Sequence, residues 1–369
     1  MERLIYWLWL TNERKVPDND IMALIMRYKT IENVYAVKDV NELKGFSKNT
    51  VETVMNKSLE KAYEVKNKID SMGGYILTID DEEYPSILRE IYLPPFVLYC
   101  LGQRLDWDKL LTITIVGTRL YDDYGRKVTE KITRELSDAG TVIVSGMARG
   151  IDSIAGTTAI MSGGRTVAVL GSGVDVIYPP EHIELYNEIC RNGCIISEYP
   201  PGTRPERWNF PRRNRIMAGL SYGVIVTQAP KKSGALITAD YALQNGRDVY
   251  AVPASIFNRT SEGSNELLKQ GAKAVQSGDD VISEYPYITS ISETKTAPDV
   301  KKQRSKEVDT SSLNELQVNI VKLLADKPWH VDELCRELNV ESYELNSEMV
   351  MLEIDGIVHK LNGNIYELS

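Results

Sequence analysis

A cluster of arginine and aromatic side chains is the part of this 369-residue chain best suited to chemistry. The segment 204–215 holds five arginines and one glutamate, a local formal charge of +4 in a protein of net charge −9. Trp208 and Phe210 lie between these cations. Because guanidinium groups bind phosphates bidentately and aromatic rings stack on unpaired bases, the segment predicts a site for single-stranded nucleic acid. A solvated basic helix start is the alternative.

Length, composition and cysteine spacing limit the class of protein. The length predicts two or three domains, and 43% hydrophobic with 26% charged residues is usual for a globular protein. We expect no transmembrane helix, because no run of about 18 apolar residues occurs. We also expect no signal peptide, because the N-terminus lacks a small-residue cleavage site. The four cysteines are not spaced as metal ligands, so we expect reduced thiols in a cytoplasmic protein without metal.

Short apolar runs alternate with helical stretches between residues 110 and 285. The predicted strands are Thr112–Val116, Thr141–Ser145, Thr166–Leu170, Cys194–Ser197, Gly223–Thr227 and Asp248–Val252. The helix candidates are 124–138, 151–161, 182–191, 214–220, 236–245 and 263–270. This alternation of β-branched strands with helices predicts an α/β fold with a Rossmann-like parallel sheet core, covered on both faces.

Changes of pattern along the chain predict its domains. Residues 1–72 carry helical apolar spacing, and residues 73–285 form the Rossmann-like domain. Residues 286–311 lose apolar periodicity and are predicted as a linker. Residues 312–369 contain three predicted helices and a hairpin with Asn-Gly at its turn, which together predict a winged-helix domain. Because its third helix is acidic, we favour a protein-contact or regulatory role for this domain.

Ligands of such a sheet bind at the carboxyl ends of its strands. Several strands here are followed by glycine, arginine or hydroxyl side chains, at Gly117, Arg119, Gly146, Arg149, Gly150, Ser233, Gly234 and Thr238. Because glycine permits close backbone approach and a helix N-terminus attracts anions, these positions predict phosphate contacts. For the segment 145–152, the alternative is a tight connection capped by Asp152.

Cofactor and catalytic motifs are incomplete. Gly171-Ser172-Gly173 lacks the third glycine of a dinucleotide fingerprint, and no P-loop sequence occurs. The chain has only three histidines, and nothing pairs its acidic residues as acid and base at a recognisable spacing. We therefore expect neither a bound cofactor nor catalytic residues.

The order of several short motifs resembles the DNA-processing protein A family, also called DprA or Smf. The matching segments are Gly117-Thr118-Arg119, 145–152, Gly171-Ser172-Gly173-Val174-Asp175, Tyr178-Pro179, Ser197-Glu198-Tyr199-Pro200, 210–216, 233–239 and 246–253. The resemblance is specific from about residue 80 to residue 285. It extends in outline to both ends, because members often carry an N-terminal SAM-like helical domain and a C-terminal winged helix.

The resemblance implies a cytoplasmic homodimer that binds single-stranded DNA and loads the RecA recombinase onto it during natural transformation. The DNA pocket it implies consists of Arg119, Arg207 and Phe210, helped by Ser233, Gly234 and Thr238. The arginine-rich motif adds Arg213, Asn214 and Arg215 to the predicted DNA contacts. The implied dimer contacts are Leu268 and Ala274, and the implied RecA-facing residues are Asp240, Leu243 and Asp248.

An enzyme class remains the first alternative to a DNA-binding protein, and a regulatory interaction module that works through the winged helix is the second. Nucleotide phosphoribohydrolases share this fold class, and residues 233–240 are distantly similar to their Pro-Gly-Gly-x-Gly-Thr-x-x-Glu loop. This chain lacks the Gly-Gly pair and the terminal glutamate of that loop. We therefore favour a non-catalytic protein.

Overall fold

A sheet of nine described strands organises the first of two units into which the chain divides. In the computed structural model these units are Met1–Glu293 and Thr294–Ser369. The structure describes residues 2–286, 288, 313–324, 329–338, 340, 342–354, 357–360 and 365–368. Most of the predicted linker 286–311 and the predicted Asn-Gly turn lie outside the described residues. No helix among the described residues is long and apolar enough to cross a membrane.

The sheet is mostly parallel. Its strands are β1 (Tyr75–Thr78), β2 (Val97–Gly102), β3 (Thr112–Gly117), β4 (Val142–Ser145), β5 (Thr166–Val169), β6 (Cys194–Ser197), β7 (Gly223–Gln228), β8 (Asp248–Ala251) and β9 (Lys273–Ala274). Their order is β1-β2-β6-β5-β4-β3-β7-β8-β9. Neighbours from β6 to β9 pair in parallel, whereas β2 pairs antiparallel with both β1 and β6. The predicted α/β class is confirmed, with β1, β2 and β9 added to the six predicted strands.

The N-terminal segment consists of helices, as predicted. They are α1 (Glu2–Thr11), α2 (Asp18–Tyr28), α3 (Ile31–Ala36), α4 (Lys48–Met55) and α5 (Glu60–Ser71). Their buried side chains, such as Trp7 and Leu24, join one hydrophobic cluster with Tyr99 of β2 and Ile195 of β6. The Trp7 indole also donates a 2.7 Å hydrogen bond to Asp80. These helices and the adjoining part of the sheet therefore share one core.

Further helices cover the sheet on both faces. They are α6 (Ser86–Arg89), α7 (Asp123–Asp138), α8 (Ile151–Met161), α9 (Ile183–Asn192), α10 (Asn209–Gly219), α11 (Gly234–Gln244), α12 (Glu262–Lys269) and α13 (Asp279–Ile282). Ile113 and Ile115 of β3 pack with residues of α7 and α8, whereas the Thr114 hydroxyl donates to Met217 of α10 on the opposite face. This alternation follows from the two-residue period of a strand.

Helix α10 begins at Asn209, earlier than the predicted start at residue 214. Pro211 lies in its first turn, where a proline is tolerated because the backbone N–H would have no intrahelical partner. The earlier start places Phe210 on the helix, at the carboxyl edge of the sheet.

The reversal of strand order lies next to β3, which pairs with β4 on one side and β7 on the other. In open α/β sheets, ligands bind in the crevice that forms at such a reversal. The loops that follow β3, β4 and β7 carry Arg119, the segment 146–150 and Ser233. The topology therefore directs the predicted phosphate-binding segments to one edge.

The second unit has the elements of a winged helix. It contains α14 (Glu315–Leu324), β10 (Trp329–His330), α15 (Val331–Leu338), α16 (Ser342–Ile354), β11 (Val358–Lys360) and β12 (Ile365–Leu368). The strands form an antiparallel sheet in the order β10-β12-β11. Leu334, Leu345 and Leu352 lie in its core. On the acidic helix α16, Glu348 accepts hydrogen bonds from Asn314, just before α14, and from Gln317 of α14.

Candidate nucleic-acid interface

Residues from several loops and from α10 meet in a small depression at the carboxyl edge of the sheet, called here the basic notch. It is lined by Arg119, Gly146, Ala148, Arg149, Tyr178, Pro179, Phe210 and Arg213. The structure thus brings together five residues that the sequence predicted for the site. Ala148, Tyr178 and Pro179 were not predicted as site residues, although the order of motifs along the chain included Tyr178-Pro179.

The loop that carries Arg119 lies against the start of α8, and its Arg119 side chain is exposed. The amide of Ile151 donates to the carbonyl of Thr118 at 3.2 Å. Gly150 precedes this amide at φ 86° and ψ −132°, a conformation that residues with a Cβ atom rarely adopt. A Cβ atom on Gly117 would lie 2.5 Å from Ile151 Cγ1. We infer that Gly117 and Gly150 place the Arg119 loop by permitting this close approach.

A Gly150→Ala substitution should lower the free energy of unfolding by about 1–3 kcal/mol. The new Cβ atom would lie 2.4 Å from Thr118 O and 2.6 Å from Arg119 Cα, so this loop would have to move. Chemical denaturation measures the change. Gly163→Ala is the matched control, because Gly163 also has a positive φ of 70° but no atom within 4 Å of the added Cβ. If both variants lose the same free energy of unfolding, contact with the Arg119 loop contributes nothing to the loss in Gly150→Ala.

Arg213 forms the floor of the basic notch. Its Nη1 atom donates to the carbonyl of Gly146 at 2.9 Å and to the carbonyl of Val169. A Cβ atom on Gly146 would lie 2.4 Å from Arg213 Nη2, so only glycine leaves space for the guanidinium. Burial lowers the pKa of Arg213 to about 10, and the nearby Asp152 carboxyl acts in the opposite direction. With 4% of its surface exposed, Arg213 supports the site from beneath and is a poor candidate for the predicted DNA contact.

Asp152 shapes the loop after β4. Its carboxylate accepts a 3.1 Å hydrogen bond from the amide of Gly146. Burial raises the pKa of Asp152, and the positive charge of Arg213 opposes this rise. Because the Gly146 amide already has a partner, it is not available to a phosphate. At this position the structure favours the alternative that the sequence left open, a tight connection held by Asp152.

Arg149 remains accessible at the rim of the basic notch. Its Nε atom lies 2.5 Å from a carboxylate oxygen of Glu181, and both side chains are half-exposed. Water and dissolved ions screen an exposed ion pair of this kind, so it contributes little to stability. A phosphate group could therefore replace Glu181 at little cost in free energy.

Two aromatic rings border the basic notch. Phe210 and Tyr178 lie with their ring centroids 5.4 Å apart at an interplanar angle of 38°. A Cβ atom on Gly171 would lie 3.0 Å from Phe210 Cδ1, and the Asn209 side-chain amide donates to Gly171 O at 2.9 Å. These contacts fix the start of α10. They hold aromatic surface next to the cationic groups.

The segment before α10 exposes two arginines and a tryptophan. Arg204, Arg207 and Trp208 are exposed, and 71% of the Trp208 surface is accessible. Neither arginine forms a salt bridge with any described residue. Exposed guanidinium groups beside an exposed indole are suited to binding phosphates and unpaired bases.

Arg212 and Arg215 face the N-terminal helices instead. Arg215 Nη2 lies 2.5 Å from Glu198 Oε2, and Arg14 Nη1 lies 3.3 Å from the same oxygen. Arg212 pairs with Asp18 of α2. Burial pushes the pKa of Glu198 upward, but the three surrounding guanidinium groups outweigh it and hold this pKa below its ordinary value. Arg215 was predicted to contact DNA, but it is buried in this cluster.

The start of α11 contributes a second accessible segment. Ser233 caps the helix by accepting a 3.3 Å hydrogen bond from the amide of Ala235, and Gly234 is exposed with open space around it. Asn214 donates to Gly234 O at 3.3 Å and thereby joins α10 to α11. Thr238 is fully buried. Of these predicted contacts, Ser233 and Gly234 are accessible, whereas Asn214 and Thr238 have packing roles.

The predicted RecA-facing residues differ in their surroundings. Asp240 and Leu243 are both exposed on α11, three residues apart and therefore on one face of the helix. Asp248 has partners within the protein, because it lies 3.2 Å from Lys273 Nζ and accepts a 2.7 Å hydrogen bond from Tyr285.

The predicted dimer residues lie near the outer edge of the sheet. Ala274 is exposed on β9, which ends the strand order. Leu268 of α12 is half-buried against the core. Over the described ranges, no three or more His, Cys, Asp or Glu side chains are grouped to hold a metal ion.

Sequence comparisons identify the family. The profile of DNA recombination-mediator protein A matches residues 75–286, and that of the DprA winged helix domain matches residues 304–364. Protein Smf of Synechocystis is 33% identical over 98% of this chain and 98% of its own length. This chain belongs to the DNA recombination-mediator protein A family. The resemblance found in the sequence motifs is confirmed.

Two solved DNA processing proteins A share the fold. The X-ray structure of the Streptococcus pneumoniae protein aligns with a TM-score of 0.65 at 35% identity, covering 77% of this chain and 98% of that one. The Helicobacter pylori protein, studied for its single-stranded DNA binding mode, aligns with a TM-score of 0.52 at 33% identity. That alignment covers 57% of this chain and 95% of the other.

Proposed function

We propose that this protein binds single-stranded DNA at the basic notch and loads RecA onto that strand during natural transformation, without catalysing a reaction. The observation that carries the proposal is the position of Arg119 beside the Phe210–Tyr178 ring pair. Arg207, which forms no salt bridge with a described residue, lies just before α10, the helix that carries Phe210. The family's description as a DNA recombination mediator and the single-stranded DNA binding of the H. pylori relative support it.

The site would make two kinds of contact with a DNA strand, to its phosphates and to its bases. Arg119, Arg149 and Arg207 would bind phosphates, which positions a strand without reading its sequence. Phe210 and Tyr178 would contact bases, which a duplex keeps stacked and paired. The local positive charge also explains how a protein of net charge −9 would bind a polyanion, because a focused patch acts at short range.

The recombinase would contact the exposed face of α11. This helix begins at Gly234, beside the proposed DNA site, and carries Asp240 and Leu243 further along. A protein bound to these residues would therefore meet the strand close to where it leaves the basic notch. Asp248 is left out of this surface, because Lys273 and Tyr285 already satisfy its carboxylate.

A second copy of the chain would pair along the outer edge of the sheet, near Ala274 and Leu268. An edge strand such as β9 presents unpaired backbone groups, which a symmetric partner can cover. A dimer of this kind would place two basic notches on one assembly.

A Leu243→Arg substitution should weaken RecA loading by about tenfold and leave single-stranded DNA affinity unchanged. Leu243 is 57% exposed, so the substitution should not disturb the core. Loading is measured as RecA ATPase activity on a strand already covered by single-stranded DNA-binding protein. Met161→Arg, at an 82% exposed position of α8, is the matched control. If the parent protein does not stimulate RecA on the covered strand, the loading function is wrong.

A further inference from the structure

Two loops at the carboxyl edge of the sheet expose large apolar side chains outside the basic notch. Leu120 follows β3, and Ile256 and Phe257 follow β8. The exposed fractions are 82% for Leu120, 82% for Ile256 and 89% for Phe257. Tyr121, next to Leu120, is 44% exposed. Apolar side chains grouped on a surface in this way indicate a binding site.

Specific hydrogen bonds hold the two loops together. Asp122 Oδ2 accepts from Asn258 Nδ2 at 2.7 Å and from Thr260 Oγ1 at 3.1 Å. The Tyr124 hydroxyl donates to Pro253 O at 2.6 Å. Burial pushes the pKa of Asp122 upward, but hydrogen bonds from the Gly125 amide and from neighbouring side chains lower it to about 2. The carboxylate is therefore ionised at neutral pH, and its hydrogen bonds fix the positions of the two loops that carry the exposed side chains.

Cations lie on both sides of this apolar surface. Arg119 precedes Leu120, and Arg259 is exposed two residues after Phe257. Neither arginine forms a salt bridge with a residue in the described part of the chain. Further along the chain, the amide of Gly263 donates to Ala229 O at 2.7 Å. This hydrogen bond holds the segment that follows Arg259 against the loop after β7, which carries Lys231 and Lys232.

We propose that Leu120, Tyr121, Ile256, Phe257 and Arg259 form a second stacking surface for unpaired bases of the strand held in the basic notch. This inference rests on the proposed function. Three peptide units and one side-chain hydrogen bond connect Arg119 to the Phe257 loop, so the two sites lie within roughly 25 Å of each other. One strand can therefore reach both sites.

The charges favour nucleic acid over a protein as the occupant. Arg119, Arg259 and Lys232 form no salt bridge with a described residue and present positive charge around the apolar side chains. Lys231 lies 3.9 Å from Glu262, and the carboxylate of Asp122 is engaged by Asn258 and Thr260. Aromatic side chains interleaved with cations are the arrangement with which proteins bind single strands independently of sequence.

The test measures the affinity of the full-length Phe257→Ala protein for oligothymidines of about 4 and about 16 nucleotides, the range of site sizes known for single-strand-binding modules. The longer strand should bind about tenfold more weakly than it binds the parent, because one stacked base is lost. The shorter strand can be held by the basic notch alone, so its affinity should change by less than about twofold. An Arg207→Ala protein should lose affinity for both lengths.

Tyr92→Ala is the matched control. Tyr92 is 77% exposed, and its amide bonds to Asn245 at the end of α11, opposite the carboxyl edge of the sheet. Its removal should change neither affinity. If Phe257→Ala weakens the long strand no more than Tyr92→Ala does, the second stacking surface is wrong. The second stacking surface is also wrong if Phe257→Ala impairs only self-association or RecA loading, because the surface then contacts protein and not DNA. If the parent binds neither strand, the proposed function itself fails.

Discussion

An Arg207→Ala variant should bind single-stranded DNA ten- to a hundredfold more weakly than the parent, and an Arg119→Ala variant should show a similar loss. A charge-assisted hydrogen bond contributes about 1.5–3 kcal/mol, which corresponds to this range of affinity. Both side chains are exposed and neither has a salt-bridge partner in the described part of the chain, so no ion pair among those residues competes with a phosphate. Fluorescence anisotropy with a labelled oligonucleotide measures the loss.

Arg134→Ala is the matched control for both variants. Arg134 is also exposed without a salt bridge to a described residue, but it lies towards the end of α7, away from the carboxyl edge. Its loss should have little effect on binding. An Arg207→Lys variant should fall between parent and alanine, because lysine keeps the charge but loses the bidentate geometry. If Arg207→Ala folds normally and binds as tightly as Arg134→Ala, the strand binds elsewhere.

A Glu198→Gln variant should lose about 3–5 kcal/mol of unfolding free energy, because it leaves buried guanidinium groups without their carboxylate. Glu198 is 3% exposed, and Arg14 and Arg215 both lie within hydrogen-bonding distance of it. The cluster joins the N-terminal helices to α10, so the loss should also loosen the start of that helix. Urea denaturation monitored by circular dichroism measures the change. Glu52→Gln, which removes one half of an exposed pair with Lys48, should cost less than about 0.5 kcal/mol.

The same cluster predicts a pH dependence. Because the folded protein holds the pKa of Glu198 below its ordinary value, this carboxylate stabilises the fold above about pH 4.3, the value for an unperturbed glutamate. The contribution is lost as the pH falls through the lowered pKa. Parent and Glu198→Gln stabilities should therefore converge in acid. A constant difference between them across this range would contradict the assignment.

The parallel core could be predicted from the sequence because its strands are mostly apolar and each is followed by glycine or polar residues. The edge strands could not be predicted in the same way. β2 pairs with β6 from almost a hundred residues away, and its antiparallel direction follows from the tertiary fold. Strand β9 has only two residues, Lys273 and Ala274, which is too few for an alternating pattern.

The arginine-rich segment shows how far the candidate site could be predicted from the sequence. On α10, Arg212 and Arg215 are three residues apart and share a helix face, but the sequence does not show that Asp18 and Glu198 lie opposite that face. For Arg213, the space left by Gly146 decides its burial, and that contact spans 67 residues. Charge along the chain therefore indicated the candidate interface, whereas only the fold separated Arg207 from the buried arginines.

The direct test of single-strand recognition is a competition between single-stranded and duplex DNA of the same sequence and length. It is performed with the full-length protein at about 0.15 M salt, near physiological ionic strength. Exposed arginines beside Phe210 and Tyr178 predict at least about tenfold preference for the single strand. The logarithm of the affinity should also fall linearly with the logarithm of salt concentration, because phosphate contacts release counterions. Equal affinity for both forms, or binding that salt does not weaken, would contradict the account.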